Sequence, residues 1–130
     1  LFFKMNEYIA ELMKPWKGYQ VSLEEIHHTK KLDTPSGTAI TLAEGIIKNS
    51  DKISWNQKEL KENNIDITSK RLKDVKGTHT VNYHSEIDTI SIQHEAHSRK
   101  GFALGALLAA EWLIGKKGVF TMKDVLKLKS

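Results

Sequence analysis

Apolar residues at Leu1, Met5, Tyr8, Ile9, Leu12 and Met13 fall at the i, i+4, i+7, i+8 spacing of one helix face, and Pro15 ends that pattern. The spacing predicts an opening amphipathic helix with that face turned to the core. After Gly18, the run Tyr19-Gln20-Val21-Ser22-Leu23-Glu24 alternates apolar and polar with a period of two, the mark of a half-buried strand. Continued further, the alternation puts Glu25 and His27 on the face of Val21 and Leu23, and Ile26 and His28 on the other. Thr34-Pro35 predicts a capping residue followed by proline at the first helical position, ahead of Ala39, Leu42, Ala43, Ile46 and Ile47 at helical spacing.

Residues 49–64 are polar and offer only Ile53, Trp55 and Leu60 to bury, so they read as a long connection with room for one short helix and no chemistry. Strands are expected around Ile65–Thr68, Thr80–Tyr83 and Thr89–Gln93, the last two joined by a polar turn through Ser85 and Glu86. Phe102, Ala106, Ala109, Ala110 and Leu113 mark a helix ending near Gly115, and Thr121-Met122-Lys123-Asp124 has the form of a capping box opening a short last helix. The expected class is α+β: a mixed, mostly antiparallel sheet of about four strands, with helices on one face and Tyr83, Ile92 and Ala96 near the other.

Composition narrows this picture. A chain of 130 residues that is 39% hydrophobic is one domain or most of one, and folding should hide roughly two thirds of its extended surface. The absence of Cys excludes a thiol nucleophile, a disulfide framework and Cys-based zinc sites. No apolar run approaches the ~20 residues of a membrane span and no signal sequence opens the chain, so a cytoplasmic protein without a membrane partner is expected. The chain begins inside a helical pattern, without an initiator Met, as a piece of a longer protein would. Twenty Lys and Arg against 16 Asp and Glu give a net charge of +4, but the signs are interspersed and the tryptophans do not interleave with basic residues, which argues against a nucleic-acid partner.

Candidate chemistry gathers in Glu25–Ala39, which leads from a strand end through a loop into a helix start. The first turn of that helix offers backbone N–H groups at Ser36, Gly37 and Thr38, two hydroxyls, and no side chain at Gly37: an arrangement suited to a carboxylate or phosphate. Lys31 adds a positive charge and a proton, and His27 and His28 are the side-chain type that exchanges protons near neutral pH. Ordinary capping and solvated surface residues would produce the same letters, so composition leaves both readings open. His79, His84, His94 and His97 raise a metal site as an alternative, but on a strand His94 and His97 point to opposite faces and HEAH lacks the HExxH spacing.

The run EIHHTKKLDTPSGTA resembles the ExHHxxKxDxPSGTA signature of the dihydrodipicolinate reductase family, and LFFKMNEY, KGTHTVNYHSEIDTISIQHEAHSRKGFALGALLAAEWL and GVFTMKDVL resemble its flanking blocks in order. The resemblance implies an NADPH- or NADH-dependent reductase of lysine and diaminopimelate biosynthesis acting on a small cyclic dicarboxylate. It implies proton-handling roles for His27 and Lys31, binding of a substrate carboxylate by His28, Gly37 and Thr38 with Ser36 adjacent, and a place near the cofactor for Arg99 and Phe102. It further implies a substrate-binding and oligomerising part over residues 1–98, a helical segment over 99–130 that returns to a dinucleotide-binding domain, and a homotetramer formed through the sheet. No GxGxxG occurs here, so that dinucleotide-binding domain is expected to precede these residues, and Phe102, Leu107 or Leu108 are expected to be unusually exposed. Lys73 stands where the family commonly has Gly in an RxG turn. A non-catalytic dicarboxylate-binding module and a His-ligated metal protein are the competing readings.

Overall fold

The structure, a computed structural model, describes residues 1–57 and 63–129. It separates into two compact units, Leu1–Glu95 and Ala96–Ser130. The first unit contains α1 (Phe2–Met13), β1 (Gln20–His27), α2 (Gly37–Lys48), β2 (Ser54–Asn56), β3 (Asn64–Arg71), β4 (Thr78–His84) and β5 (Thr89–Glu95). The second contains α3 (Lys100–Leu113) and α4 (Met122–Val125). Among the described residues no helix is long and apolar enough to cross a membrane.

The sheet has the order β2-β3-β1-β4-β5, so β1 is its central strand. It is mixed, as expected, but has five strands rather than four, and its pairings divide evenly: β1 and β2 each run parallel to β3, while β4 runs antiparallel to both β1 and β5. The extra strand, β2, lies in the stretch read as connection. Three residues, of which only Trp55 packs against the core, are too few to show a period, and what defines the strand is its pairing with Asn64–Asp66. Leu60 lies outside the described residues.

Along β1 the alternation holds to the end, with Val21, Leu23, Glu25 and His27 all turned to the covered face. There they meet Ile65 and Ile67 of β3, Val81 and Tyr83 of β4, and Ala39, Leu42, Ala43 and Ile46 of α2. Tyr83 and Ile92 belong to this covered side, which corrects their expected position. Tyr83 is 3% exposed, and Ile92 pairs with Val81 and packs against the same cluster. The other face is polar: Ser22, Glu24, Thr80, Asn82, Ser91 and Gln93 lie on it, with Thr80 Oγ1 donating to Gln93 Oε1 at 3.0 Å.

Helix α1 forms where the periodicity puts it, but buries a different stripe. Asn6 and Ala10 are fully covered and Phe2, Ile9 and Met13 partly so, whereas Met5, Tyr8 and Leu12 are more than half exposed. Two causes select this rotation. Asn6 Nδ2 donates to the Leu42 carbonyl at 3.0 Å, and Gly45 lets the helices close so far that a Cβ there would lie 3.3 Å from Glu7 Cγ. Helix α2 begins two residues later than expected: the N-cap is Ser36, whose Oγ accepts from Ala39 N–H at 3.1 Å, and Pro35 precedes the helix. After β3 the chain turns with Asp74 in the left-handed region at φ 63°, so the turn places its strained residue at an Asp rather than at Lys73.

In the second unit, Asp124 Oδ2 accepts from Thr121 N–H at 2.7 Å, closing the capping box read from the sequence. No residue of α3 is buried, and Phe102, Leu107 and Leu108 are 62%, 56% and 47% exposed, in line with expectation.

The rotation of α1 makes a testable ranking. Ala10→Leu should destabilise the chain by about 1–3 kcal/mol through overpacking, and Leu12→Ala should stay within about 0.5 kcal/mol, both read by urea unfolding. The reverse order would restore the face that periodicity alone selects.

Candidate active site

The polar residues at the carboxyl end of β1 are brought together by register. Glu25 stands opposite Ser69 on β3 and opposite His79 on β4, and His27 stands opposite Arg71. Glu25, His27, Ser69, Arg71 and His79 therefore converge on the covered face at the point where α2 begins.

Glu25 is fully buried, and both of its oxygens are engaged. Oε1 accepts from the Arg71 guanidinium at 2.6 Å and Oε2 from the Ser36 backbone N–H at 3.2 Å. Burial alone would raise its pKa; the hydrogen bonds from Ser36 and Arg71 outweigh that and hold the carboxyl below its ordinary range. The same guanidinium donates to the carbonyls of Lys31 at 3.3 Å and Asp33 at 2.7 Å, and so ties the loop after β1 to the end of β3. Leu72 N–H, donating to the His27 carbonyl at 2.9 Å, extends this seam by one residue.

His27 is 9% exposed, with Nδ1 3.0 Å from Glu25 Oε2 but off the line of a hydrogen bond. Desolvation lowers its pKa, with Lys31, Arg71 and His28 acting in the same sense and Glu25 opposing them. The Nε2 edge lies against Gly77, where φ is +144° and an added Cβ would stand 3.2 Å from Nε2. His79 meets the His27 ring edge-on at 4.9 Å, and its Nε2 is 3.2 Å from Ser36 Oγ. Burial, with the neighbouring His27 adding to it, pushes His79 down to about 4.

Of the residues expected to form the site, His27, Ser36 and Lys31 touch this cluster, and His28 lies half-buried just past β1. The Lys31 ammonium, with its side chain 25% exposed, pairs with Asp33 at 2.9 Å. Gly37 and Thr38 are exposed at the helix start. Ser36 is 2% exposed, and its N–H and hydroxyl are both engaged internally. Arg99 and Phe102 belong to the second unit, Arg99 as the N-cap of α3. Glu25, Arg71 and Gly77 carried no role in the sequence reading, and His79 entered it only as one of the histidines raised for a metal site. The strand parity that pointed Glu25 inward was a signal for one of them, and inward-facing His79 between Gly77 and Val81 was a signal for another.

Glu25, His27 and His79 each offer one donor atom, all within 4.8 Å of one another, the donor set of a two-histidine, one-carboxylate metal site. The Arg71 guanidinium already matches the Glu25 charge at 2.6 Å. His94, raised for metal in the sequence, instead packs its ring on Phe2 at 5.6 Å.

Three outcomes follow from this geometry. Arg71→Gln leaves a buried carboxylate without its cation and should cost about 3–5 kcal/mol of unfolding free energy, with Arg71→Lys losing less. Gly77→Ala should both strain the backbone and displace His27, seen as a shift of the His27 imidazole resonances. His79 is neutral in the fold and takes up a proton on unfolding. Its contribution to stability is therefore whole above its ordinary value of 6.5 and is lost as pH falls toward about 4, where Glu25 begins to add to the loss. His79→Phe should flatten the fall in thermal midpoint across that window; an unchanged slope would mean that other groups carry it.

Comparison with known proteins places this geometry in a family. The family described as dihydrodipicolinate reductase, C-terminus, matches residues 1–126. The 4-hydroxy-tetrahydrodipicolinate reductase of Christiangramia forsetii is 54% identical over 127 residues, covering 97% of this chain and 53% of that protein. The enzyme of the same name from Aquifex aeolicus is 40% identical over 98% of this chain and 50% of its own. Among solved structures, dipicolinate-bound dihydrodipicolinate reductase from Paenisporosarcina sp. TG-14 superposes with a TM-score of 0.66 at 22% identity, covering 91% of this chain and 48% of its own, a likeness of fold. The chain thus spans about half the length of the curated relatives it matches, and it belongs to the dihydrodipicolinate reductase family, as that family's C-terminal part.

Proposed function

We propose that this chain is the substrate-binding and oligomerising part of a cytoplasmic reductase that converts 4-hydroxy-tetrahydrodipicolinate to tetrahydrodipicolinate in lysine and diaminopimelate biosynthesis. The observation that carries this reading is the anchored loop. Lys31 is held by its own carbonyl to Arg71 beside the near-buried His27, and the exposed Gly37 and Thr38 open α2 a few residues on. The relatives' names supply the reaction, and the Paenisporosarcina structure supports a planar dicarboxylate as ligand.

Each group then has a task that its chemistry allows. The N–H groups of Gly37 and Thr38 and the ring of His28 receive a carboxylate at the helix start, where the helix dipole favours negative charge. Lys31 exchanges Asp33 for the ligand, contributing a charged hydrogen bond. The reduction needs one hydride and one proton and releases the 4-hydroxyl as water. His27 and Lys31 manage that proton.

NADPH or NADH supplies the hydride, held mainly by a dinucleotide-binding domain outside these residues. Within this chain, Arg99 offers a cation and Phe102, 62% exposed, a bare ring on the first turn of α3, a pair suited to the phosphate and aromatic parts of a nucleotide. Assembly into a homotetramer through the sheet is part of the same reading. The uncovered polar face, running from β1 to the largely exposed β5, supports it.

Calorimetric titration of pyridine-2,6-dicarboxylate into metal-stripped protein tests the site. Saturable binding that weakens at least about tenfold in Lys31→Ala is expected, the worth of a charged hydrogen bond. Equal binding by both proteins would remove Lys31 from the site. In the intact reductase, His27→Gln should lower turnover by about 10² to 10⁴. Light scattering at about tens of micromolar should give four chains per particle, and a monomer would overturn the assembly.

A further inference from the structure

The role of Glu25 as counter-ion to Arg71 does not explain how the His27 ring is oriented. Nδ1 stands 3.0 Å from Glu25 Oε2 without hydrogen-bond alignment, so the carboxylate attracts that edge but does not fix it. The ring is confined by what flanks it: the Gly77 backbone at one edge and the His79 ring, 4.9 Å away and tilted by 70°, at another. We propose that His79 is the positioning residue for His27, clamping that imidazole edge-on and tying its orientation to the capping hydroxyl of Ser36, so that one ring nitrogen stays toward Glu25 and the other is presented beside Gly77.

The hydrogen-bond accounting around Ser36 supports the assignment. Its Oγ accepts from Ala39 N–H at 3.1 Å, and its own N–H is spent on Glu25 Oε2. The hydroxyl hydrogen then has His79 Nε2, 3.2 Å away, as its buried acceptor. That bond requires an unprotonated Nε2, which puts the single ring proton of His79 on Nδ1 and leaves it neutral. Protonation at Nε2 would break the Ser36 bond and bring a second cation to within 4.0 Å of Glu25 Oε2, in competition with His27.

The groups that face His27 are then fully assigned. Glu25 from β1 favours its charge; Arg71 from β3, Lys31 and His28 from the loop oppose it; and His79 from β4 contributes bulk and orientation without charge. Nδ1 faces Glu25 and Nε2 faces the Gly77 side. Ser36 belongs to both ends of this chain of contacts, since it also caps α2, so the helix start and the His27 ring are mechanically one piece.

The assignment rests on His27 as the proton-handling residue, but its test needs no ligand, so it can fail or hold apart from dicarboxylate binding. The measurement is ¹⁵N and ¹³C NMR of the imidazoles across a pH titration, in the wild type, His79→Phe and His79→Gln. In the wild type, His27 should show a single Nδ1–H tautomer. In His79→Phe, which fills the space but accepts nothing from Ser36, the two nitrogen shifts of His27 should move toward a common averaged value. In His79→Gln, whose amide oxygen restores an acceptor, they should return most of the way. Averaged nitrogens in the wild type, or a His79→Phe protein with the wild-type pattern, would overturn the proposal. Should His79→Phe not fold, His79→Gln decides, because a filler role predicts no tautomer preference in a variant lacking the second ring.

Discussion

A carboxylate with no solvent access stands on the central strand, and the arrangement of everything near it follows from the need to keep it charged. Moving an isolated ion of this kind out of water costs several kcal/mol, and Glu25 meets that cost with the Arg71 guanidinium on one oxygen and the Ser36 N–H on the other. Both partners come from other elements, so the demand of a single side chain joins β1 to the end of β3 and to the first turn of α2. The guanidinium then has donors to spare, which go to the carbonyls of Lys31 and Asp33. An exposed loop is thereby held against the sheet at two backbone points, and the Lys31 side chain starts from a fixed place. Pairs of this sort stabilise little relative to a well-packed apolar core; what they supply is a unique arrangement, which a catalytic loop needs and a hydrophobic contact does not provide.

In the proposed reading, that charge balance leaves Lys31 as the cation an anionic ligand can claim. Arg71 is consumed by Glu25, and His79 is neutral, so neither adds charge to the cluster. Lys31 is offset by Asp33, an exposed pair and therefore a weak one. In that proposed reading, a ligand with two carboxylates displaces Asp33 at small cost and gains a partly buried ammonium in exchange, while the exposed Gly37 and Thr38 open α2 just past the Ser36 N–H that Glu25 takes. Had Arg71 been free, the loop would hold a stronger positive field but no fixed geometry.

Most of this was legible in the letters, and the failures share a cause. Strand parity alone put Glu25 and His27 on the same face as Val21 and Leu23, because β1 is buried on that face along its whole length. The capping box at Thr121 was local chemistry and survived intact. What the letters hid was set by partners distant in sequence. Arg71 reads as one of a cluster of surface cations until β3 brings it beside His27, 44 positions earlier in the chain. The face of α1 was misjudged because periodicity counts apolar residues, and a buried Asn bonded to the Leu42 carbonyl looks polar. The internal bonds of Ser36, to Glu25, His79 and Ala39, likewise come from partners that the local pattern does not show.

The central strand changes character between Leu23 and Glu25. Toward its start, Val21 and Leu23 pack with Ile65, Ile67 and Val81 in an apolar core that needs no polar partner. Two residues on, the same face carries Glu25 and then His27, opposed by Ser69, Arg71 and His79. The buried imidazole nitrogen without an aligned bond also lies in this half, as does the positive φ of Gly77. These are features that an optimally stable core would lack, and they lie where the chemistry is proposed; the Tyr83 hydroxyl, opposite Val21 in the other half, is a further buried group without a partner. The apolar half gives the second half its rigidity: with β1 pinned by packing up to Leu23, the register of Glu25 and His27 against β3 and β4 has no freedom to slip. A one-residue slip would turn both groups to the polar outer face, and the buried cluster would cease to exist.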